Sequence, residues 1–338
     1  MNKFLKIITT ITFLFLIFIS CISLSKCINY QKSTENILSK EMQKETDAKI
    51  LSLMQQEKEK IIKEEKEKQI KKEKEEILFK LKEEDKNIDS NTFELYYGKG
   101  TLEERINKFL GKDVNNVAYL YHNINTNETI SLNENKPFTA ASTYKLNLNI
   151  LIYNKINDGI YNENTVLSMR NYQNKPGNKY INFKQYYQDT NIIKVLDDSI
   201  ITSDNTAAFL LYHTLGGWNS YRNEYFKFFN IENKLLKNET TVNNELIVLK
   251  YLYEHQDEYS HLINSLKNTI YHDRLDKYIP NDIVAHKIGT LDTVLNDIGI
   301  VYTKNPYIVC VLTDSCSKNQ YEIISKLSRA IYIYNLTN

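Results

Sequence analysis

The sequence predicts an α+β globular domain carried behind an apolar amino-terminal segment and a long charged helix. Three observations support this. Residues 7–24 carry no charge. Residues 57–76 hold only Glu, Lys, Gln and Ile, with no Gly or Pro. From residue 101 onward, hydrophobic spacing runs as two strands, a helical block, three strands and a last helix.

Residues 1–27 read as a secretion element. Lys3 and Lys6 give a basic start, and the core Ile11–Ile19 follows. The run is long for a cleaved signal and just sufficient for a membrane span. Basic residues on its amino side favour an N-in orientation with the remainder exported. Phe18-Ile19-Ser20-Cys21 is similar to a bacterial lipoprotein box, with Phe where Leu is usual. An uncleaved anchor, a lipoprotein and a cleaved signal stay open, and all three place the rest of the chain outside the cytoplasm.

Residues 28–90 form a second unit. Glu59 and Lys63, Glu64 and Lys68, Glu67 and Lys71, and Glu76 and Lys80 are correctly oriented i,i+4 pairs. Met54 and Ile61 share one heptad register, and Ile70 and Ile77 another, out of phase with the first. The expectation is a solvated spacer, with a weak coiled-coil dimer as the alternative. A helix from Lys44 to Lys86 would span about 65 Å at 1.5 Å per residue.

Residues 91–338 make the globular part. Leu102 to Leu110 has helical spacing. Asn116 to Ile124 and Thr129 to Leu132 read as a strand and its return. The stretch from Ser142 is helical and too apolar to face water. Asp204 to Leu215 and Asn244 to Tyr253 are further helices. Ile283 to Ile288, Asp297 to Tyr302 and Tyr307 to Leu312 read as strands, and Ser317 to Tyr334 as the closing helix. Net charge is +1, which argues against a nucleic-acid partner. Cys21, Cys27, Cys310 and Cys316 lack metal-site spacing, and free thiols are expected at Cys310 and Cys316. No metal or other cofactor is expected.

Three short segments carry the chemistry: Ser142-Thr-Tyr-Lys145, Ser203-Asp204-Asn205 and Lys287-Ile288-Gly289-Thr290. Each alone has a bland reading, and Ser-Asp-Asn is also good helix-capping chemistry. In this order they resemble the S-x-x-K, S-D-N and K-T-G boxes of the penicillin-binding proteins and class A β-lactamases. The resemblance runs from about Thr101 to the C-terminus. It implies an antiparallel sheet, built from both chain ends, packed on a helical lobe. It also implies roles. Ser142 is the nucleophile and Lys145, one helical turn away, its base. Ser203 relays a proton to the leaving nitrogen. Asn205 holds a substrate carbonyl, and Asp204 orients the loop. Lys287 faces the substrate carboxylate. The backbone N–H groups of Ser142 and Thr290 form the oxyanion hole.

Two departures matter. Ile288 stands where the family has Thr or Ser, removing a carboxylate hydrogen bond worth about 1–3 kcal/mol if its partner is left unpaired. Thr290, on the same strand face, is the replacement. His286 neighbours Lys287, so alternation turns it away from the side of that lysine, and it is expected to be packed or on the surface. The second departure is the deacylation base. No Glu-x-x-Leu-Asn follows Asn205, and Glu232 is the nearest partial match. A surface glutamate is the preferred reading of Glu232. The expectation is therefore an exported acyl-serine hydrolase or acyltransferase of D,D-peptidase type, acting on a small molecule or a peptidoglycan peptide. A class A β-lactamase with a substitute base and a non-catalytic binding module are the alternatives.

Overall fold

The computed structural model describes residues 2–169, 187–232, 235 and 237–338. The chain separates into two compact units, residues 1–73 and 74–338. In the first, α1 (Asn2–Glu84) begins. Its apolar residues, Ile11 and Phe13 to Ile19 among them, are exposed. By length and composition this helix is able to cross a membrane.

The second unit takes in the end of α1, where Leu81 is buried and Ile77 packs beside it. Arg329 holds Glu84 at 2.9 Å and Asp85 at 3.1 Å. Two helices follow, α2 (Ser90–Tyr97) and α3 (Leu102–Leu110). Thr101 and Glu104 close a capping box at the start of α3, which satisfies two free backbone donors. Strands β1 (Val117–Asn123) and β2 (Thr129–Leu132) form the expected pair. The short β3 (Phe138–Thr139) leads through a 3-10 turn (Ala141–Thr143) into α4 (Tyr144–Asn157). Strands β4 (Val166–Leu167) and β5 (Thr190–Asn191) pair ahead of α5 (Ile192–Ile201). Then come α6 (Asn205–Thr214), α7 (Trp218–Phe228), β6 (Glu239–Thr240), α8 (Val242–Glu254) and α9 (Ser260–Lys267). The chain ends with β7 (Val284–Leu291), β8 (Val294–Val301), β9 (Tyr307–Asp314) and α10 (Gln320–Thr337).

The main sheet is antiparallel, in the order β2-β1-β9-β8-β7. β1 and β9 bring the two chain ends together, pairing Val117 with Thr313 and Asn123 with Tyr307. Side-chain alternation splits β1 between two cores. Ala118 and Leu120 face the helical lobe, while Val117, Tyr119 and Tyr121 pack with α2, α3 and α10. β6 pairs with β3 and brings residue 239 beside the segment ahead of Ser142.

β8 starts at Val294, earlier than the expected Asp297. Asn296 interrupts the apolar run, yet it is fully buried. Cys310 is buried and Cys316 partly so, and neither is bonded.

Candidate functional site

Ser142 lies in the 3-10 turn that opens α4, and its neighbours hold that turn tightly. Asn296 Nδ2 donates to the carbonyls of Thr139 (2.8 Å) and Ala140 (3.1 Å), and Asn238 Nδ2 donates to that of Ala141 (3.0 Å). Ala141 has φ of 51°, in the left-handed region that costs a non-glycine residue of order 1 kcal/mol or more. Ser203 shares this conformation, with φ of 54°. Gly289 passes against the turn. A Cβ there would meet Ala140 O at 2.6 Å and Ser142 N at 3.2 Å, so only glycine lets β7 approach this closely.

The three boxes meet around Ser203. Lys145 Nζ donates to Ser203 O (2.6 Å), Asn205 Oδ1 (2.8 Å) and Ser203 Oγ (3.3 Å). Lys287 Nζ donates to the same Oγ at 2.9 Å and to Ile288 O at 3.1 Å. Both lysines are buried. Burial lowers the Lys145 ammonium to about 7, with the charge of Asp204 acting against it. Burial also drives Lys287 well down, aided by the neighbouring charge of Lys145. Asn205 turns its oxygen to Lys145, a donor only, which leaves its Nδ2 as a donor for another group. Asp204 caps α6, accepting from Ala207 N at 2.7 Å. Ser142 Oγ makes no hydrogen bond to a described residue, and the side chain is half-buried.

β7 is the edge strand of the sheet. Tyr302 N donates to Ile283 O, and the strand register continues from that pair. Alternation then turns the backbone N–H of Ile288 and Thr290 away from β8, onto the free edge. Ser142 N and Thr290 N thus belong to adjoining segments. Ile288 is buried and Thr290 exposed.

The sequence reading missed Arg274. It is buried, donating through Nη2 to Thr290 Oγ1 (2.8 Å) and through Nη1 to Asn296 O (3.0 Å) and Gly289 O (3.2 Å). Composition held the signal. The chain has only five arginines among 43 basic residues, and where arginine persists its planar fork has work to do. His286 is packed, between Asp297 and Asp276. Burial acts to lower its imidazolium, but the two carboxylates outweigh that and raise it to about 9.

Glu245 was also missed. It is buried on α8, with Thr143 Oγ1 donating to Oε1 at 3.3 Å and with no partner for Oε2. Burial raises its carboxyl to about 7, against hydrogen bonds from Thr240 and Thr143. A proton held more tightly on folding stabilises the fold at low pH. That contribution fades as pH climbs from 4.5 to about 7. Glu245→Gln mimics the protonated acid and removes the dependence. Urea denaturation should show the two proteins alike below pH 4.5. Above about 7 the variant should be ahead, by on the order of 3 kcal/mol at 1.36 kcal/mol per tenfold in proton affinity.

Glu232 is exposed beyond the end of α7, and Asn233, Lys234 and Leu236 of its partial motif lie outside the described residues. No carboxylate of a described residue forms an ion pair or hydrogen bond with Lys145 Nζ. The residues outside the description include no Asp or Glu.

Comparison with known proteins agrees with this fold. The family model described as the beta-lactamase enzyme family matches residues 101–335. No curated protein matches the chain. Among solved structures, the chain is similar to PBP-A, at 20% identity over 68% of this chain and 94% of that one, with a TM-score of 0.59. A PBP-A mutant solved as an acyl-enzyme complex with penicillin G is similar at 19% identity, over 68% of this chain and 94% of that one, with a TM-score of 0.59. The TLA-1 extended-spectrum beta-lactamase is similar at 23% identity, over 71% of this chain and all of that one, with a TM-score of 0.61. With its serine, two buried lysines and edge strand arranged on that fold, the chain belongs to the beta-lactamase enzyme family and is a serine hydrolase of the beta-lactamase and penicillin-binding kind.

Proposed function

We propose that this chain is a membrane-anchored, penicillin-recognising acyl-serine enzyme of D,D-peptidase type, which forms its acyl-enzyme readily and clears it slowly. The observation that carries the reading is the surroundings of Lys145. Among the described residues its hydrogen-bond partners are a hydroxyl, a carbonyl and an amide, and no carboxylate. Acylation needs a base beside the serine, and a lysine lowered to about 7 suits that. Hydrolysis of the acyl-enzyme needs a second base to activate water, and no carboxylate of a described residue is bonded to this lysine to share that work.

In this reading Ser142 Oγ attacks the substrate carbonyl as its proton passes to neutral Lys145. The backbone N–H groups of Ser142 and Thr290 take the developing oxyanion. Ser203 Oγ, held between two lysines, gives a proton to the leaving nitrogen and takes from Lys145 the proton that came from Ser142. Asn205 Nδ2 donates to the substrate's amide carbonyl. Lys287, relieved of its neighbour's charge while Lys145 is neutral, supplies positive charge toward a carboxylate. Thr290 Oγ1, oriented by Arg274, offers the hydroxyl that Ile288 lacks. The apolar stretch of α1 suits an anchor that keeps the enzyme outside the cytoplasm, near peptidoglycan peptides.

The test is intact-mass spectrometry of the full-length protein incubated with penicillin G. The expected result is one adduct per chain that persists after free drug is removed. Loss of free drug without a lasting adduct would overturn the slow-clearance reading in favour of a β-lactamase. Neither adduct nor loss would overturn β-lactam recognition. Glu232→Gln separates the two enzymes further. Its adduct should decay at the wild-type rate, because an exposed glutamate without its partner residue activates no water at the site. A variant adduct that lasts ten times longer would make Glu232 the deacylation base.

A further inference from the structure

A second cluster lies on the face of β7 opposite Lys287, and the proposed chemistry does not use it. His272 and Asp276 sit in the segment between α9 and β7, and His286 stands on β7 itself. One ligand atom from each lies within 4.8 Å of the others. His272 Nδ1 is 2.5 Å from Asp276 Oδ2, and His286 Nε2 is 3.4 Å from the same oxygen.

Two buried polar atoms of this cluster are poorly served: His286 Nε2 has Asp276 Oδ2 only at an ion-pair distance of 3.4 Å, and Asp276 Oδ1 has no hydrogen-bond partner. Both residues are almost completely buried. Leaving a polar atom in the interior without a good hydrogen bond is costly, and here an imidazole nitrogen and a carboxylate oxygen at one point are both left so.

The orientation of His286 is set from behind. Its Nδ1 lies 2.9 and 3.0 Å from the two oxygens of Asp297. A carboxylate there only accepts, so Nδ1 carries the proton and Nε2 is presented toward Asp276. Carboxylate–histidine pairing of this kind is the usual support behind a metal-ligating imidazole. Asp297 is itself held, accepting from Leu275 N at 3.1 Å.

We propose that His272, Asp276 and His286 form a binding site for a divalent transition metal of zinc's class. Two imidazoles and one carboxylate are a common zinc donor set, with a fourth position left to solvent. Bond lengths of about 2.0–2.2 Å place tetrahedral ligand atoms about 3.3 Å apart. His286 Nε2 and Asp276 Oδ2 already stand at 3.4 Å, and reaching this spacing throughout needs the 2.5 Å His272–Asp276 pair to open as His272 adjusts. His272 is the member free to move, since its side chain is 46% exposed while those of Asp276 and His286 are each 1% exposed. That exposure is also the entry path. Without metal, the two aspartates hold a protonated imidazole. With metal, the cation takes the proton's place between Asp276 and His286. Arg274 lies between two of the ligands, so an occupied site would pin the residue that positions Thr290.

The test uses full-length protein stripped with a chelator and titrated with Zn²⁺ alone, against a chromophoric competitor. The expected result is one Zn²⁺ per chain, with affinity at least tenfold weaker in His272→Ala, a surface change that leaves the core intact. Zn²⁺ should raise the melting temperature of the wild type and not that of the variant. Co²⁺ should give the visible bands of a tetrahedral site in the wild type only. Asp276→Asn provides a second variant of unchanged size, expected to lose binding similarly. Absence of stoichiometric binding, or equal affinity in the wild type and both variants, would overturn the proposal.

Discussion

Ser142→Ala should abolish covalent labelling by penicillin G, from one adduct per chain to none, while leaving the fold undisturbed. The structure separates these two outcomes. Ser142 Oγ has no hydrogen bond to a described residue, so its loss orphans no partner. The turn is held by Asn296 and Asn238 through backbone carbonyls, which alanine retains. Its unfolding free energy should stay within about 0.5 kcal/mol of the wild type, the usual range for substitutions that break no packing or hydrogen bond. An adduct that survives in the variant would assign the nucleophile elsewhere. A variant that fails to fold would mean that the hydroxyl has a structural partner.

Lys145→Met should slow acylation by about 10²- to 10⁴-fold, the usual contribution of a positioned base. The stronger test is the pH profile. Burial holds the Lys145 ammonium near 7, so the amine needed as base appears as pH rises through about 7. The wild-type acylation rate should climb through that point and then level off. The variant's residual rate should lack the inflection. In the geometry described, Lys145 gives three hydrogen bonds, two to Ser203 and one to Asn205. The neutral amine has only two hydrogens to donate, so one of these contacts opens as its lone pair becomes available to Ser142. Stopped-flow acylation across pH reads both effects. A wild-type profile flat through 7 would remove Lys145 from the base's role.

Much of this was legible in the chain because it rests on short-range pattern. Strand β2 and helix α3 match their expected bounds, and the three boxes fall on a helix opening, a helix cap and an edge strand. What escaped were residues whose meaning depends on distant partners. Asn296 looked like a break in an apolar run. It is buried because the carbonyls of Thr139 and Ala140 consume its amide. Arg274 and Glu245 carry no local motif, and each acquires its setting only when the sheet closes over it. Helices α2, α5, α7 and α9 also went unrecognised. Trp218–Phe228 buries tyrosines and an arginine in place of an aliphatic stripe, so a 3.6-residue period of aliphatic residues is absent there, whereas α5 buries Ile192, Val195, Leu196 and Ile200 at helical spacing.

The order of strands in the sheet bears on how such a chain can be made. β9, the last strand in sequence, lies next to β1, the first. Until residues 307–314 are available, β1 has β2 alone on one side and nothing on the other. A chain emerging amino end first therefore has no stable half-sheet to rest in. Such long-range pairing folds slowly and leaves edges exposed meanwhile. Synthesis must deliver nearly the whole length of the chain before the turn at Ser142 finds the strands that brace it. Activity should then arrive all at once, with the final helix, and not accumulate as synthesis proceeds.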